Sequence, residues 1–346
     1  MKYVPTMVFL ILFSMTAMGT EYTYCKVNLL DGATMDLKLD FKRPAVAQSV
    51  PALVFIHGGG LVRGSRLTYL NELDRANAMG FAALTIDYRL TIKAEDETVE
   101  NDQPNDEYYQ VGAKAPAGMR DVQCAIKWLK SNALSLGIDP SRIGIQGHSA
   151  GGYLALMLAT ASAAPIFNFT PMHQIQFVDG NLAQMEVHNT SVQAVSHFAG
   201  PNNIANWQNT EEFHPAVVEM MENLFFTLSL EDIPSHPMAI RISPFYHLST
   251  FVPPILAFHG RSDDLVPWQQ TESFHNQNTQ SFGNTQTTYF IEGEEHMYTD
   301  MVLCWMMDKV YEHFDKVLLQ NESASLNSSI IDFAPSYVNL GRCNSI

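Results

Sequence analysis

The chain has 346 residues, 46% hydrophobic and 16% charged, with 36 acidic against 20 basic side chains and a formal charge of −16. This balance supports a substantial core and excludes a disordered chain. It also argues against nucleic acid as a partner, because phosphate binding needs clustered Lys and Arg, and the acidic surplus suits solubility in an extracellular setting.

Residues 1–19 read as a signal peptide. Lys2 precedes an apolar run over residues 7–13, and Ala17 and Gly19 supply small residues for cleavage. The run is short for a spanning helix. An uncleaved anchor is the alternative, and no second long apolar stretch follows, so no stable membrane insertion is expected. Four N-x-S/T sequons, at Asn168, Asn189, Asn321 and Asn327, agree with secretion. So do the four cysteines Cys25, Cys124, Cys304 and Cys343, which allow three complete pairings. Cys124 lies on an apolar helical face with Val122, Ala125, Trp128 and Leu129, so it reads equally as a buried free thiol.

Residues 22–41 alternate as two paired strands would, around an Asp31-Gly32 turn. Residues 52–56 form a continuous apolar run, as a strand buried on both faces requires. That run ends in His57-Gly58-Gly59-Gly60. A helix over residues 70–79 stops at Gly80, and a second buried strand over residues 81–86 leads to Asp87-Tyr88-Arg89-Leu90. Residues 93–118 are an acidic insertion, read either as a solvated loop or as a rim or lid carrying Tyr108 and Tyr109.

The spacing then predicts a helix over residues 117–132, a turn over 137–142, a short strand over 143–145, and a helix over 153–160. Further strands are expected over residues 192–198 and 254–258. A last core strand over 287–291 precedes a closing helix reaching residue 319. Residues 202–250, rich in Met, Phe and Trp, are expected to form a cap. Repeated strand–turn–helix alternation argues for an α/β fold with a doubly wound, mostly parallel sheet.

Gly147-His148-Ser149-Ala150-Gly151 is a G-x-S-x-G pattern between an apolar strand and an apolar helix. In that setting the serine occupies a sharp strand-to-helix turn with Oγ exposed, and glycines flank it because side chains there would strike backbone. The helix N-terminus favours a developing negative charge. The glycines at residues 58–60 follow a buried strand and let backbone N–H groups approach an oxyanion, so Gly59, Gly60 and Ala150 are assigned as its donors. An ordinary Gly-rich turn is the alternative for residues 58–60.

A serine nucleophile needs a base and an orienting carboxylate, in the chain order Ser, Asp or Glu, His. Asp263, with Asp264 as neighbouring competitor, and His296 follow buried strands at the carboxyl edge, where such sites assemble. Of twelve histidines, His275 and His313 fall in helix-like stretches and read as surface residues.

From about residue 36 to residue 314 the chain resembles the α/β-hydrolase esterases, nearest the branch of bacterial feruloyl and acetyl-xylan esterases. Hormone-sensitive-lipase-like carboxylesterases and kynurenine formamidases are relatives. The resemblance rests on Val54-Phe-Ile-His-Gly-Gly-Gly60, Asp87-Tyr-Arg-Leu90, Asp139-Pro-Ser-Arg-Ile143, residues 147–152, Ser243-Pro244, and His259-Gly260 through Asp263 to Val266-Pro267. It implies a small-molecule or carbohydrate-linked ester as substrate. Residues 20–346 are read as one catalytic domain, and with no H-E-x-x-H, paired C-x-x-C, phosphate loop or dinucleotide fingerprint no metal or cofactor is expected. The aspartate of the family's H-G-x-x-D pattern selects Asp263. Two departures stand out: Glu294-Glu295-His296-Met297 replaces the usual glycines around the base, and the insertion after Leu90 is long.

Ester hydrolysis by Ser149, His296 and Asp263 is the leading expectation. An amidase or formamidase on the same residues, or a binding protein on an inactive hydrolase scaffold, are the alternatives. Met185, Trp207, Phe225, Phe226 and Trp268 are candidates to line an apolar pocket, or else plain core.

Overall fold

The hairpin expected near the N-terminus is formed by β1 (Thr20–Asn28) and β2 (Thr34–Lys42), antiparallel, with a bulge between Thr23 and Cys25. The computed structural model describes residues 19–28, 33–90, 117–161, 175–176, 188–206, 237–320, 322 and 326–335. The segment up to residue 18 expected as a signal, the expected Asp31-Gly32 turn, residues 91–116 with Tyr108 and Tyr109, and residues 207–236 of the expected cap lie outside them. So do Asn168, Asn321, Cys343, Met185, Trp207, Phe225 and Phe226.

The apolar runs become β3 (Val50–Ile56), β4 (Ala82–Ile86), β5 (Ile138–His148), β7 (Ala194–Phe198), β8 (Ile255–Gly260) and β9 (Gln286–Ile291). With β6 (Ile175–Gln176) and β10 (Ser329–Phe333) they make one sheet, ordered β10-β9-β8-β7-β5-β3-β4-β2-β1-β6. Every pair from β4 through β3, β5, β7, β8 and β9 to β10 is parallel, and the β2 side is antiparallel.

Every residue of β3, β4, β7 and β8 is buried. The period of two explains why continuous apolar runs are needed. Ala52, Val54 and Ile56 enter one core layer with helices α2 (Ala117–Ser131) and α4 (Ala150–Ala161). Leu53 and Phe55 enter the other. That second layer holds Leu73 and Ala76 of α1 (Leu70–Ala78), together with residues 302–318 of the closing helix. Strand β8 divides the same way, Ile255 and Ala257 against Leu256 and Phe258. Each large apolar side chain fully removed from water contributes about 1.5–3 kcal/mol. Among the described residues no helix is long and apolar enough to cross a membrane.

Several expectations need correction. Of the turn expected over residues 137–142, Gly137 ends the preceding short helix and residues 138–142 lie within β5. Val50 pairs with Ile138 and Ala52 with Ile143, so the intervening residues bulge out, held by Asp139 accepting from Ser141 and Arg142. Strand β9 is not the last: β10 adds a parallel edge beyond it, covered by Trp305 stacked on Phe333. His275 and His313 are buried, not on the surface, because their helices turn them toward the sheet; His275 Nδ1 lies 2.9 Å from Thr288 Oγ1. Cys124 is not a free thiol. It pairs with Cys25, tying the hairpin to α2 across 99 residues of sequence, and Cys304 is disulfide-bonded as well.

The closing helix is α7 (Asp300–Phe314), followed by a π turn over Asp315–Leu319. Short helices α3 (Ala133–Leu136), α5 (Pro237–Arg241) and α6 (Trp268–Asn276) complete the described part. Within the described part of residues 202–250, Ser243 Oγ accepts from the amides of Ile204 and Ala205 and donates to the Ala239 carbonyl, which explains why a serine stands before Pro244.

Candidate active site

The site lies at the carboxyl ends of the parallel strands. Strand β5 ends at His148, helix α4 begins at Ala150, and Ser149 makes the turn between them with φ of 53°. A non-glycine residue in this region is strained by about 1–3 kcal/mol and persists only where its surroundings impose it. Here Ser149 N–H donates to Phe198 O at 2.7 Å and Ser149 O accepts from Tyr153 N–H at 2.9 Å. A Cβ on Gly147 would collide with Gly151 backbone, and one on Gly151 would collide with the Ile56 and His57 carbonyls. The two flanking glycines therefore let β3, β5 and α4 converge beneath the serine.

His296 Nε2 lies 2.8 Å from Ser149 Oγ, and His296 Nδ1 lies 2.8 Å from Asp263 Oδ2. Asp263 has a fully buried side chain, whereas Asp264 is exposed. The Asp263 Oδ1 atom accepts from the amides of Leu265 and Val266 at 2.9 and 2.8 Å. Burial opposes ionisation of Asp263, but hydrogen bonds and charge from His259 and His296 outweigh it and hold its carboxyl well below the usual range. Gly260 brings the loops together: a Cβ there would strike the Glu294 and Glu295 carbonyls.

The unusual Glu294-Glu295 segment has a structural role. Glu294 is buried, and its carboxylate accepts from Thr299 N–H at 2.7 Å and Thr299 Oγ1 at 3.0 Å. It thus closes the loop bearing His296 onto the start of α7, where the N-terminal dipole favours a carboxylate. From the other side His148 Nε2–H donates to His296 O at 3.0 Å. Burial, then the neighbouring His296, push His148 down to about 4, so near neutral pH it is an uncharged donor.

The glycine loop after β3 packs against the serine turn. A Cβ on Gly58 would sit 3.4 Å from Ser149 Cβ. Gly59 and Gly60 adopt φ of 108° and 62°, and Ala150 opens α4. The family-like motif Asp87-Tyr88-Arg89 braces this loop. Tyr88 stacks on His57 at 4.2 Å and donates to His57 O at 3.0 Å. Asp87 accepts from Arg66 N–H and from its guanidinium, which also reaches Asp40 and Glu21. Arg89 forms a buried pair with Asp121 of α2.

Of the candidate pocket residues, Trp268 packs edge-on against Phe290 and beneath Arg261, which places it in a packed support. Sequence reading missed the contacts of His148 and Glu294 around the His296 loop, and the approach of His259 to Asp263. Only His259 carried a signal, as the first residue of the H-G-x-x-D pattern.

The BD-FAE family profile matches residues 105–277, half of the chain. Esterase LipC of Mycobacterium tuberculosis is 28% identical over 226 residues, covering 65% of this chain and 47% of that protein. Carboxylesterase NlhH of the same species is 36% identical over 118 residues, 34% of this chain and 31% of that protein. The chain thus spans less than half the length of these relatives. Among solved structures, the propionate-bound Est2 esterase of Thermogutta terrifontis superposes with a TM-score of 0.61 at 22% identity, covering 88% of this chain and 94% of that one. The fold is therefore that of the α/β hydrolases, and the chain belongs to the BD-FAE family within them.

Proposed function

We propose that the protein is a serine carboxylic-ester hydrolase working through an acyl-enzyme. The observation that carries this reading is the continuous chain from Ser149 Oγ through His296 to the buried carboxyl group of Asp263, with the serine set on a strained turn at a helix N-terminus. Ser149 Oγ attacks the ester carbonyl carbon as its proton passes to His296 Nε2. Backbone N–H groups of Gly59, Gly60 and Ala150 receive the oxyanion. The intermediate collapses, the C–O bond to the alcohol breaks, and His296 returns the proton to the leaving oxygen. Water, deprotonated by His296, then releases the acid and restores Ser149. Asp263 keeps the imidazole in the productive tautomer.

The Thermogutta esterase has been solved with propionate and with butyrate bound, so short acyl groups are the first substrates to try. The resemblance to feruloyl and acetyl-xylan esterases supports a carbohydrate-linked ester as the substrate class. Purified protein is expected to hydrolyse p-nitrophenyl acetate and butyrate, with Ser149→Ala losing about 10⁴-fold or more in kcat. Full activity in that variant, or turnover of arylformamides but not aryl esters, overturns the esterase reading.

We also propose secretion, supported by the Cys25–Cys124 disulfide, which belongs to oxidising compartments, and by exposed sequons at Asn189 and Asn327. Protein from its native source is expected to show no reactive thiol without a reductant. Quantitative labelling of all four cysteines contradicts it.

A further inference from the structure

Asp263 is shared between two histidines. The oxygen that faces His296, Oδ2, also lies 3.1 Å from Nε2 of His259, a residue of β8 with no solvent exposure. The same His259 nitrogen is 2.9 Å from Val266 O, and Nδ1 is 2.8 Å from Thr271 Oγ1 on α6. A carboxylate and a carbonyl both only accept here, so the proton must sit on Nε2. The Thr271 hydroxyl then donates to Nδ1 and fixes that tautomer. Asp263 therefore meets four N–H groups: two amides bond Oδ1, His296 bonds Oδ2, and the His259 Nε2–H, which is shared with Val266 O, lies 3.1 Å from Oδ2.

We propose that His259 is a positioning residue for the reaction, a second donor that fixes Asp263 Oδ2 toward His296 and draws off part of its charge. The inference rests on the esterase reading for its kinetic consequence and on geometry for the contact itself. The Oδ1 amides already fix the carboxylate plane, so removing His259 acts chiefly through charge. With one donor gone, the whole negative charge of Oδ2 faces the His296 imidazole, and the triad holds its proton more tightly.

The surrounding groups leave this effect exposed. His148 from the end of β5 and His197 from β7 lie within electrostatic reach of His259, and burial pushes them down to about 4 and about 3, so both are neutral near pH 7. The Tyr298 hydroxyl beside Asp263 donates to Phe258 O at 3.3 Å and is likewise neutral. Within this group Asp263 is the carboxylate that meets both rings.

The test compares His259→Phe, His259→Gln and Thr271→Val with the wild type and Ser149→Ala on p-nitrophenyl acetate across pH. Gln places an amide N–H near the position of Nε2, and Phe keeps bulk without a donor. In His259→Phe, kcat is expected to fall about ten-fold with KM changed less than about two-fold. The acid limb of kcat/KM, a property of the coupled triad, is expected to move up by about half a pH unit or more. His259→Gln restores most of both, and Thr271→Val shifts the limb in the same direction by less.

If His259→Phe does not fold, Thr271→Val decides: a profile superimposable on the wild type overturns the proposal. Superimposable pH profiles in the folded variants, or Gln behaving no better than Phe, overturn the proposal. An inactive wild type would instead sink the esterase reading. The contact is then judged by imidazole nitrogen NMR, which must show His259 protonated at Nε2, and an Nδ1-only tautomer refutes it.

Discussion

Ser149 and His296 lie 2.8 Å apart, yet different forces hold them. Ser149 is held by main chain: a φ of 53°, two glycines whose missing Cβ atoms let three elements converge, and main-chain hydrogen bonds to Phe198 O and from Tyr153 N–H. His296 is held by side chains gathered from distant segments: Asp263, the Glu294 carboxylate on Thr299, and the His148 ring on its carbonyl. A backbone-built position fails by steric collision and takes the fold with it. A side-chain-built position fails by degrees and responds to pH.

The sharpest way to break this contrast is on the serine side. Gly151→Ala drives a methyl group into the Ile56 carbonyl, and is expected to destabilise the protein by about 3 kcal/mol or more, or to prevent folding. Urea unfolding reads this directly, and a stable, fully active Gly151→Ala protein would show that the turn is not built as described.

The counterpart on the histidine side is milder. Glu294→Ala removes both bonds to Thr299. It is expected to cost about 1–2 kcal/mol as a lost helix-end partner, and to lower kcat about ten-fold while KM holds. Unchanged kcat at an unchanged Tm would remove Glu294 from the support of His296.

Acid sharpens the comparison further. His148 and His313 are pushed down to about 4 and His197 to about 3, in each case chiefly by burial. Their ordinary value is about 6.5, so between about pH 6.5 and 4 the unfolded chain binds more protons than the folded one. Stability is then expected to rise with pH across that window and to fall as acid is added, with an uptake of about three protons on unfolding. Asp263 is shifted in the same direction and acts in a lower window: its stabilisation is complete above about pH 5 and is lost as pH drops toward its depressed value. Urea midpoints measured from pH 4 to 7 give the slope, and a flat profile contradicts the buried neutral histidines. His148→Gln should reduce the slope by about one proton.

The same contrast explains what the sequence revealed. Main-chain requirements leave short local patterns, so Gly147 to Gly151, the glycines after β3, and Gly260 ahead of Asp263 were legible, as were the strands buried on both faces. Side-chain supports leave no local pattern. Glu294 and Glu295 read as a departure from the usual glycines, although Glu294 closes the loop they would otherwise shape. His148 was an unremarked variable position, and His275 and His313 read as exposed because a helix pattern alone does not say how deep its polar face lies. Strand β10 was missed because five residues at a sheet edge, in a polar segment, carry little periodic signal.

The central claim is that Ser149 is the activated nucleophile, and covalent labelling tests it most directly. The Thermogutta esterase has been solved phosphorylated by paraoxon. Intact-mass and peptide mass spectrometry of this protein after paraoxon treatment are expected to show a single diethylphosphoryl adduct on Ser149, absent from Ser149→Ala and strongly slowed in His296→Ala. No adduct on the folded wild type, or an adduct that persists in Ser149→Ala, would contradict the account.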